Sequence, residues 1–205
     1  MKKLLNILLS LALPAICTPI FGLQNQFYAG ILGGYGSTNW GRLVTTDLFL
    51  EGSLPNSAKD AGFTYGVFIG DDINQNFGLE IRYQNFANSE IGFANNEYSP
   101  DGAPFTMVSK TSAFMFLGKL RAPITKNLQA YSIIGGSYTL RSDQIANLKG
   151  FGGVFGGGID LAVAQHWHKS LEFDFVTGNA NINEYPAQYY QPFLTAVVDK
   201  IIFYF

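Results

Sequence analysis

Charge is scarce in this sequence. Acidic and basic residues make up 14% of the chain, whereas a soluble domain carries roughly 25%, so few ions are available to keep a surface in water. Beyond Lys2-Lys3 the basic residues form no cluster, and the formal net charge is −2; nucleic acid is excluded as a partner and acidic partners are not favoured. Cysteine is scarcer still. Cys17 stands alone, which rules out a disulfide framework, and its loss with the N-terminal segment would leave no thiolate for a metal site or a nucleophile. Finally, no long apolar run follows residue 22, so a helical membrane protein is excluded.

Aromatic residues are abundant, at 15%, with 18 Phe and 11 Tyr, and Gly is high at 23 residues. The start reads as an export signal: Lys2 and Lys3 precede the apolar stretch "LLNILLSLALPAI". Pro14 and Pro19 keep that run below the roughly 20 residues a spanning helix needs. Segment 1–22 is therefore expected to be removed, with cleavage after about residue 17 or 22, where Ala15-Ile16-Cys17 and Gly22 offer small residues. Ile16 before Cys17 argues against a lipid-modified cysteine. Losing Lys2 and Lys3 shifts the formal charge to about −4. The remaining domain is 23–205.

Within it, eight segments of about ten residues alternate with polar or Gly/Asn-rich stretches: 27–36, 62–71, 77–86, 109–120, 128–139, 151–163, 169–178 and 194–205. Pro is absent from all eight, as central strands require. Connections 37–61, 87–108, 140–150 and 179–193 are long, while 72–76, 121–127 and 164–168 are short. This long-short alternation predicts an all-β fold, a closed up-and-down antiparallel transmembrane β-barrel of eight strands with short periplasmic turns. Facing is legible in three segments, because strand side chains alternate. Phe77, Leu79, Ile81 and Tyr83 oppose Gly78, Glu80, Arg82 and Gln84; Phe151, Phe155 and Ile159 oppose Gly152, Gly156 and Asp160; Leu171, Phe173 and Phe175 oppose Glu172 and Asp174. The second, fourth and fifth segments are mixed on both faces and stay unassigned. A soluble sandwich would put the polar face outside, but a preceding export signal and aromatics at both ends of the apolar band argue against it.

The stretches "FYAGILGGYG", "GDDINQNFGLEIRY" and the terminal "FYF" resemble the small eight-stranded outer-membrane barrels of Gram-negative bacteria, the OmpA/OmpX-like and opacity-type surface proteins. The likeness covers essentially all of 23–205. It implies residence in the outer membrane, contact with outer-membrane lipids, and a closing strand whose Ile201, Phe203 and Phe205 face lipid and are recognised by the barrel assembly machinery. It also implies a structural or surface-interaction role, such as adhesion or host contact through the outer loops, without a cofactor. Two positions depart from the pattern. Leu32 stands where such proteins often carry an inward lysine, and Asp199 falls on the lipid-facing parity of the last strand, where a bulge or a shorter strand could remove it from lipid.

The inward polar set is Glu80, Arg82, Asp160, Glu172 and Asp174, with Lys119 and Lys200 as possible members. Buried charges must pair, so these are read as an internal salt-bridge network in a lumen that eight strands leave just filled. A small passive channel and a lipid-active enzyme are the alternatives. For the enzyme, His168-x-Ser170 with Glu172 is similar to the H-x-S pair of lipid A deacylases, but it lies on the periplasmic side, away from the outer leaflet. His166 and His168 lack further metal ligands, and Trp167 suits a membrane interface. Asp72, Asn74 and Asn76 have calcium-loop spacing without the closing acid, and read as a polar turn. "GGVFGGG" lacks the Lys-Ser/Thr of a phosphate loop; its glycines leave room for larger lumen side chains or permit curvature. Loop segments 87–107 and 179–193, rich in Asn, Tyr and Pro, are where recognition would reside, although they equally suit a hydrated cap.

Overall fold

Aromatic and β-branched residues spaced two apart favour extended backbone, and the chain uses them to build a wall. In the computed structural model, residues 26–42, 55–93, 104–178 and 189–205 are described. The expected export signal with Cys17, and the loop residues 43–54, 94–103 and 179–188, lie outside the described residues. The described residues form ten strands: β1 Gln26–Ser37, β2 Pro55–Lys59, β3 Ala61–Asp72, β4 Phe77–Asn85, β5 Ser89–Phe93, β6 Phe105–Pro123, β7 Leu128–Ser142, β8 Asn147–Ala162, β9 Trp167–Val176 and β10 Leu194–Tyr204.

Eight of them close a ring. Going round it, β1, β3, β4, β6, β7, β8, β9 and β10 each pair antiparallel with the next, and β10 returns to β1. Closure leaves no unpaired edge, which lipid would penalise at several kcal/mol per orphaned backbone group. The seam runs from Tyr28 opposite Tyr204 to Ser37 opposite Thr195, and the Phe205 amide still donates to the Phe27 carbonyl at 3.0 Å. The short strands β2 and β5 lie above this ring, β5 pairing with both β2 and the upper part of β6. Between β4 and β5 the chain bulges, because residues 86–88 face only 110 and 111 of β6.

Three features of the loop end differ from the sequence reading. The connections after the first and third segments contain β2 and β5 as well as loop. The connection after the fifth, expected over 140–150, narrows to residues 143–146, since β7 and β8 both continue past the apolar band. Asp143 closes that turn, its Oδ1 accepting from the amides of Ile145 at 3.0 Å and Ala146 at 2.8 Å, a side-chain mimic of a backbone turn.

Outside the ring is an apolar band. Ile31, Val67, Ile81, Phe116 and Ile201 are each about half exposed there. Aromatics gather at both ends. At the short-turn end Trp167 packs edge-on to Phe203 at 4.9 Å, beside Phe205. At the loop end Tyr83, Phe114, Tyr138 and Phe151 are consecutive ladder partners across four strands. Two such girdles around an apolar band are the boundary pattern of a membrane barrel.

The second, fourth and fifth segments can now be oriented. In β3, Phe63, Tyr65, Val67 and Ile69 point outward; in β6, Phe114, Phe116 and Leu120 do so. Their inward faces mix apolar residues with small or polar ones, Phe68 with Thr64 in β3, Met115 and Leu117 with Thr111 and Lys119 in β6, and Ile133 with Ser137 in β7. Apolar side chains on both faces blur the contrast from which period-two alternation is read. Asp199 needs neither a bulge nor a shortened strand. The register of β10 runs unbroken through it against both neighbours, and it faces outward, between exposed Val197 and Ile201. Its carboxylate meets Lys169 Nζ at 3.0 Å. Because an outward charge in hydrocarbon is costly, Asp199→Leu is expected to raise resistance to urea unfolding in lipid vesicles by about 1 kcal/mol; an unchanged or lower midpoint would contradict the placement.

Candidate functional site: a charged belt beneath a packed cap

Strand alternation sends Glu80 and Arg82 of β4, Lys119 of β6, Glu172 and Asp174 of β9, and Lys200 of β10 into the lumen, all at most 3% exposed. Arg82 is the hub. Its Nη1 donates to Asp174 Oδ2 at 2.7 Å, its Nη2 to Glu80 Oε1 at 2.7 Å, and the same Nη2 also meets Glu172. Lys119 Nζ reaches Glu80 at 2.5 Å, while Lys200 Nζ lies 2.9 Å from Glu80 and 3.3 Å from Glu172. Arg82, Lys119 and Lys200 thus face Glu80, Glu172 and Asp174, and the belt is formally neutral. Neutrality is what a buried cluster requires, since an unmatched charge there costs several kcal/mol.

Phenols complete the belt. Tyr131 donates to Glu172 Oε2 at 2.7 Å, and Tyr28 to Glu80 Oε2 at 3.3 Å. Lys119 Nζ sits 5.1 and 5.2 Å from the Tyr28 and Tyr131 rings, and Lys200 Nζ 4.2 Å from that of Phe68. Leu32 faces Lys200 across the β1–β10 seam, so an inward lysine stands one strand over from the expected place. Glycines make room for the rings: a Cβ on Gly158 would lie 2.8 Å from the Tyr131 hydroxyl.

Asp160 is set apart from this belt. It belongs to the short-turn mouth, accepting from Gln129 Nε2 at 3.0 Å and lying 3.2 Å from His168 Nδ1. That placement also dismantles a His-Ser-acid relay. His168, Ser170 and Glu172 follow one another on one face of β9, yet His168 pairs with Asp160, Ser170 shares a 2.5 Å hydrogen bond with Tyr131, and Glu172 is held by Arg82 and Lys200. Asp72 pairs with Arg121 and accepts from Tyr204 at 3.1 Å, while Asn74 Oδ1 accepts from the amides of Asn76 and Phe77 at 2.9 and 2.8 Å. These oxygens are spent on the turn. Among the described residues no cluster could hold a metal ion.

At the loop end the structure builds something the sequence reading missed. Asn39, with φ of 49°, turns the chain over the lumen in a left-handed conformation that asparagine tolerates. Trp40 follows and is fully buried, packed with Ile91 and Phe93 of β5, Met107 of β6 and Tyr190. Trp40 and Tyr190 meet edge-to-face at 4.8 Å, and the Arg141 guanidinium lies 4.6 Å over the Trp40 ring. Arg141 also donates to the Tyr190 carbonyl at 2.7 Å and to Asp143 at 2.6 Å. Tyr190 donates its hydroxyl to the Asn39 carbonyl at 3.0 Å, and burial pushes its phenol up to about 12. The cap is a second hydrophobic core tying three connections together. The alternation of Ile91 and Phe93 around Gly92 was its one available sign.

Chemically, this arrangement offers an ion-paired belt inside the barrel and a packed, hydrogen-bonded cap outside it. The sequence model of the OmpA-like transmembrane domain matches residues 23–205. No curated protein sequence matches. Among solved structures, the chain is similar to Neisserial surface protein A, at 10% identity with a TM-score of 0.55, covering 87% of this chain and 97% of that one. It is likewise similar to the outer membrane protein OprG from Pseudomonas aeruginosa, at 13% identity with a TM-score of 0.54, covering 89% and 98%.

Proposed function

Given that the chain belongs to the OmpA-like transmembrane domain family and is an outer-membrane β-barrel, we propose that its task is surface interaction, with the extracellular cap presenting loops 43–54, 94–103 and 179–188 to a host or environmental ligand. The observation that supports this is the apolar core of Trp40, Ile91, Phe93, Met107 and Tyr190 above the membrane band. A barrel needed only as a plug in the membrane has no use for a second core outside it. Binding loops work best when a stiff base removes their ordering cost. The solved relative named a surface protein has the same fold. Within the same reading, Ile201, Phe203 and Phe205 of the closing strand serve as the signal to the barrel assembly machinery.

The experiment displays the full-length chain on a non-adherent Gram-negative strain and scores attachment to immobilised host matrix and epithelial cells. Replacing 94–103 and 179–188 with Gly-Ser linkers is expected to abolish attachment while the barrel still assembles, as judged by its heat-modifiable gel mobility. Equal attachment by the loop-replaced and parent strains would refute the reading.

A further inference from the structure

A groove of about 630 Å³ indents the outer wall beside the β4–β5 bulge. It exists because the bulge interrupts pairing with β6 just where the strand leaves the apolar band, leaving outward side chains of β6 and β7 without a neighbour on that flank. Phe63, Tyr65 and Leu140 give it apolar walls, and Asn85, Ser112 and Lys110 give it a polar side. The two rings are stacked, with centroids 6.1 Å apart and planes at 19°.

Depth decides what such a groove meets. On β6 the outward series runs Phe116, Phe114, Ser112, Lys110, and Phe114 belongs to the loop-end aromatic row. Ser112 and Lys110 therefore stand one and two outward steps above the girdle, at the height of lipid headgroups in the outer leaflet. Lys110 is exposed and forms no ion pair among the described residues. Lys149, the ladder partner of Leu140, adds a second outward cation on the far side. Uncompensated cations over an apolar floor, at headgroup height, complement an anionic head with acyl chains below it. A phosphate fits best, because lysine and small hydroxyl or amide donors form charge-assisted hydrogen bonds to its oxygens.

We propose that this groove is a binding site for a phosphorylated glycolipid of the outer leaflet, its phosphate held by Lys110 with Ser112 and Asn85, and an acyl chain lying along Phe63, Tyr65 and Leu140. The site is separate from the apolar core of the cap, and none of the residues lining it belongs to 43–54, 94–103 or 179–188. It commits to a membrane lipid, not to a free anion.

The test reconstitutes the full barrel in phosphatidylcholine nanodiscs doped with diphosphoryl lipid A, then measures lipid retained after transfer to detergent by native mass spectrometry. Lys110→Glu is expected to lower retention about tenfold or more, the worth of one charge-assisted hydrogen bond, while Lys110→Arg keeps it. Ser112→Trp, which preserves the charge but fills the groove, is expected to lower retention as well, as is chemical dephosphorylation of the lipid. Unchanged gel mobility of each variant excludes misfolding. Equal retention by Lys110→Glu, or of the dephosphorylated lipid, would overturn the site. Displacement of the lipid by millimolar inorganic phosphate would overturn its assignment to a lipid.

Discussion

Replacing Arg82 with methionine is expected to cost about 3–5 kcal/mol of barrel stability, the usual consequence of removing one partner from a buried ion pair. The reason is arithmetic of charge. Three carboxylates would remain in the belt against two lysines, and Asp174 would lose the one cation that pairs with it among the described residues. Asp174 is already the least served of the three, because its Oδ1 has no hydrogen-bond partner. Unfolding in urea from lipid vesicles, followed by gel mobility, reads the loss directly. Adding Asp174→Asn to Arg82→Met restores formal neutrality and is expected to return part of the stability, a coupling that a double-mutant cycle isolates. Arg82→Lys keeps the charge but not the fork that reaches three carboxylates at once, so an intermediate loss is expected. An Arg82→Met barrel as stable as the parent would mean that the lumen does not depend on this balance.

The second large effect comes from adding a single carbon. Gly70→Ala is expected to cost about 3 kcal/mol or more by overpacking. A Cβ there would fall 2.2 Å from Tyr28 Cζ and 2.6 Å from the Leu79 carbonyl oxygen. The carbonyl belongs to the β3–β4 ladder and cannot retreat. The ring cannot either, being 1% exposed, packed on Tyr204 at 5.3 Å and tethered through its hydroxyl to Glu80. Trimming the ring with Tyr28→Leu in the Gly70→Ala background is expected to recover some folding yield. Yields that do not improve would trace the damage to the backbone contact alone.

Legibility in the sequence depended on contrast. Phe77, Leu79, Ile81 and Tyr83 alternate with Glu80, Arg82 and Gln84, so β4 announced both its faces. Strand β6 did not, because Met115 and Leu117 face inward with chemistry much like that of Phe114 and Phe116 facing outward. A sequence carries periodicity only where two environments differ, and a lumen packed with apolar residues differs little from lipid. Lys119 was ambiguous for the same reason, whereas Lys200 stayed open because Asp199 beside it put a charge on the lipid-facing parity of the last strand. The charged belt was half visible, since an arginine among carboxylates asks for pairing, but separating Asp160 from Arg82 required knowing heights in the barrel, which depend on register and tilt. The cap was almost invisible. Trp40, Ile91, Phe93, Met107 and Tyr190 come from four distant places in the chain, and nothing local says that a tryptophan after one strand will meet a tyrosine before another.

The strands differ in length in a way that reaches beyond the barrel itself. Strand β10 has 11 residues and β9 has 10, whereas β6, β7 and β8 have 19, 15 and 16. At about 3.3 Å per residue and a tilt near 40°, β10 rises roughly 28 Å and β6 roughly 48 Å, against an apolar band about 25 Å tall. On one flank the paired backbone therefore ends near the edge of the apolar band, while on the opposite flank β6, β7 and β8 carry it well beyond, as a fin in the saccharide layer. In a crowded membrane such a cylinder has a front and a back, since along β6, β7 and β8 the hydrogen-bonded wall stands broadside to whatever skims the cell surface.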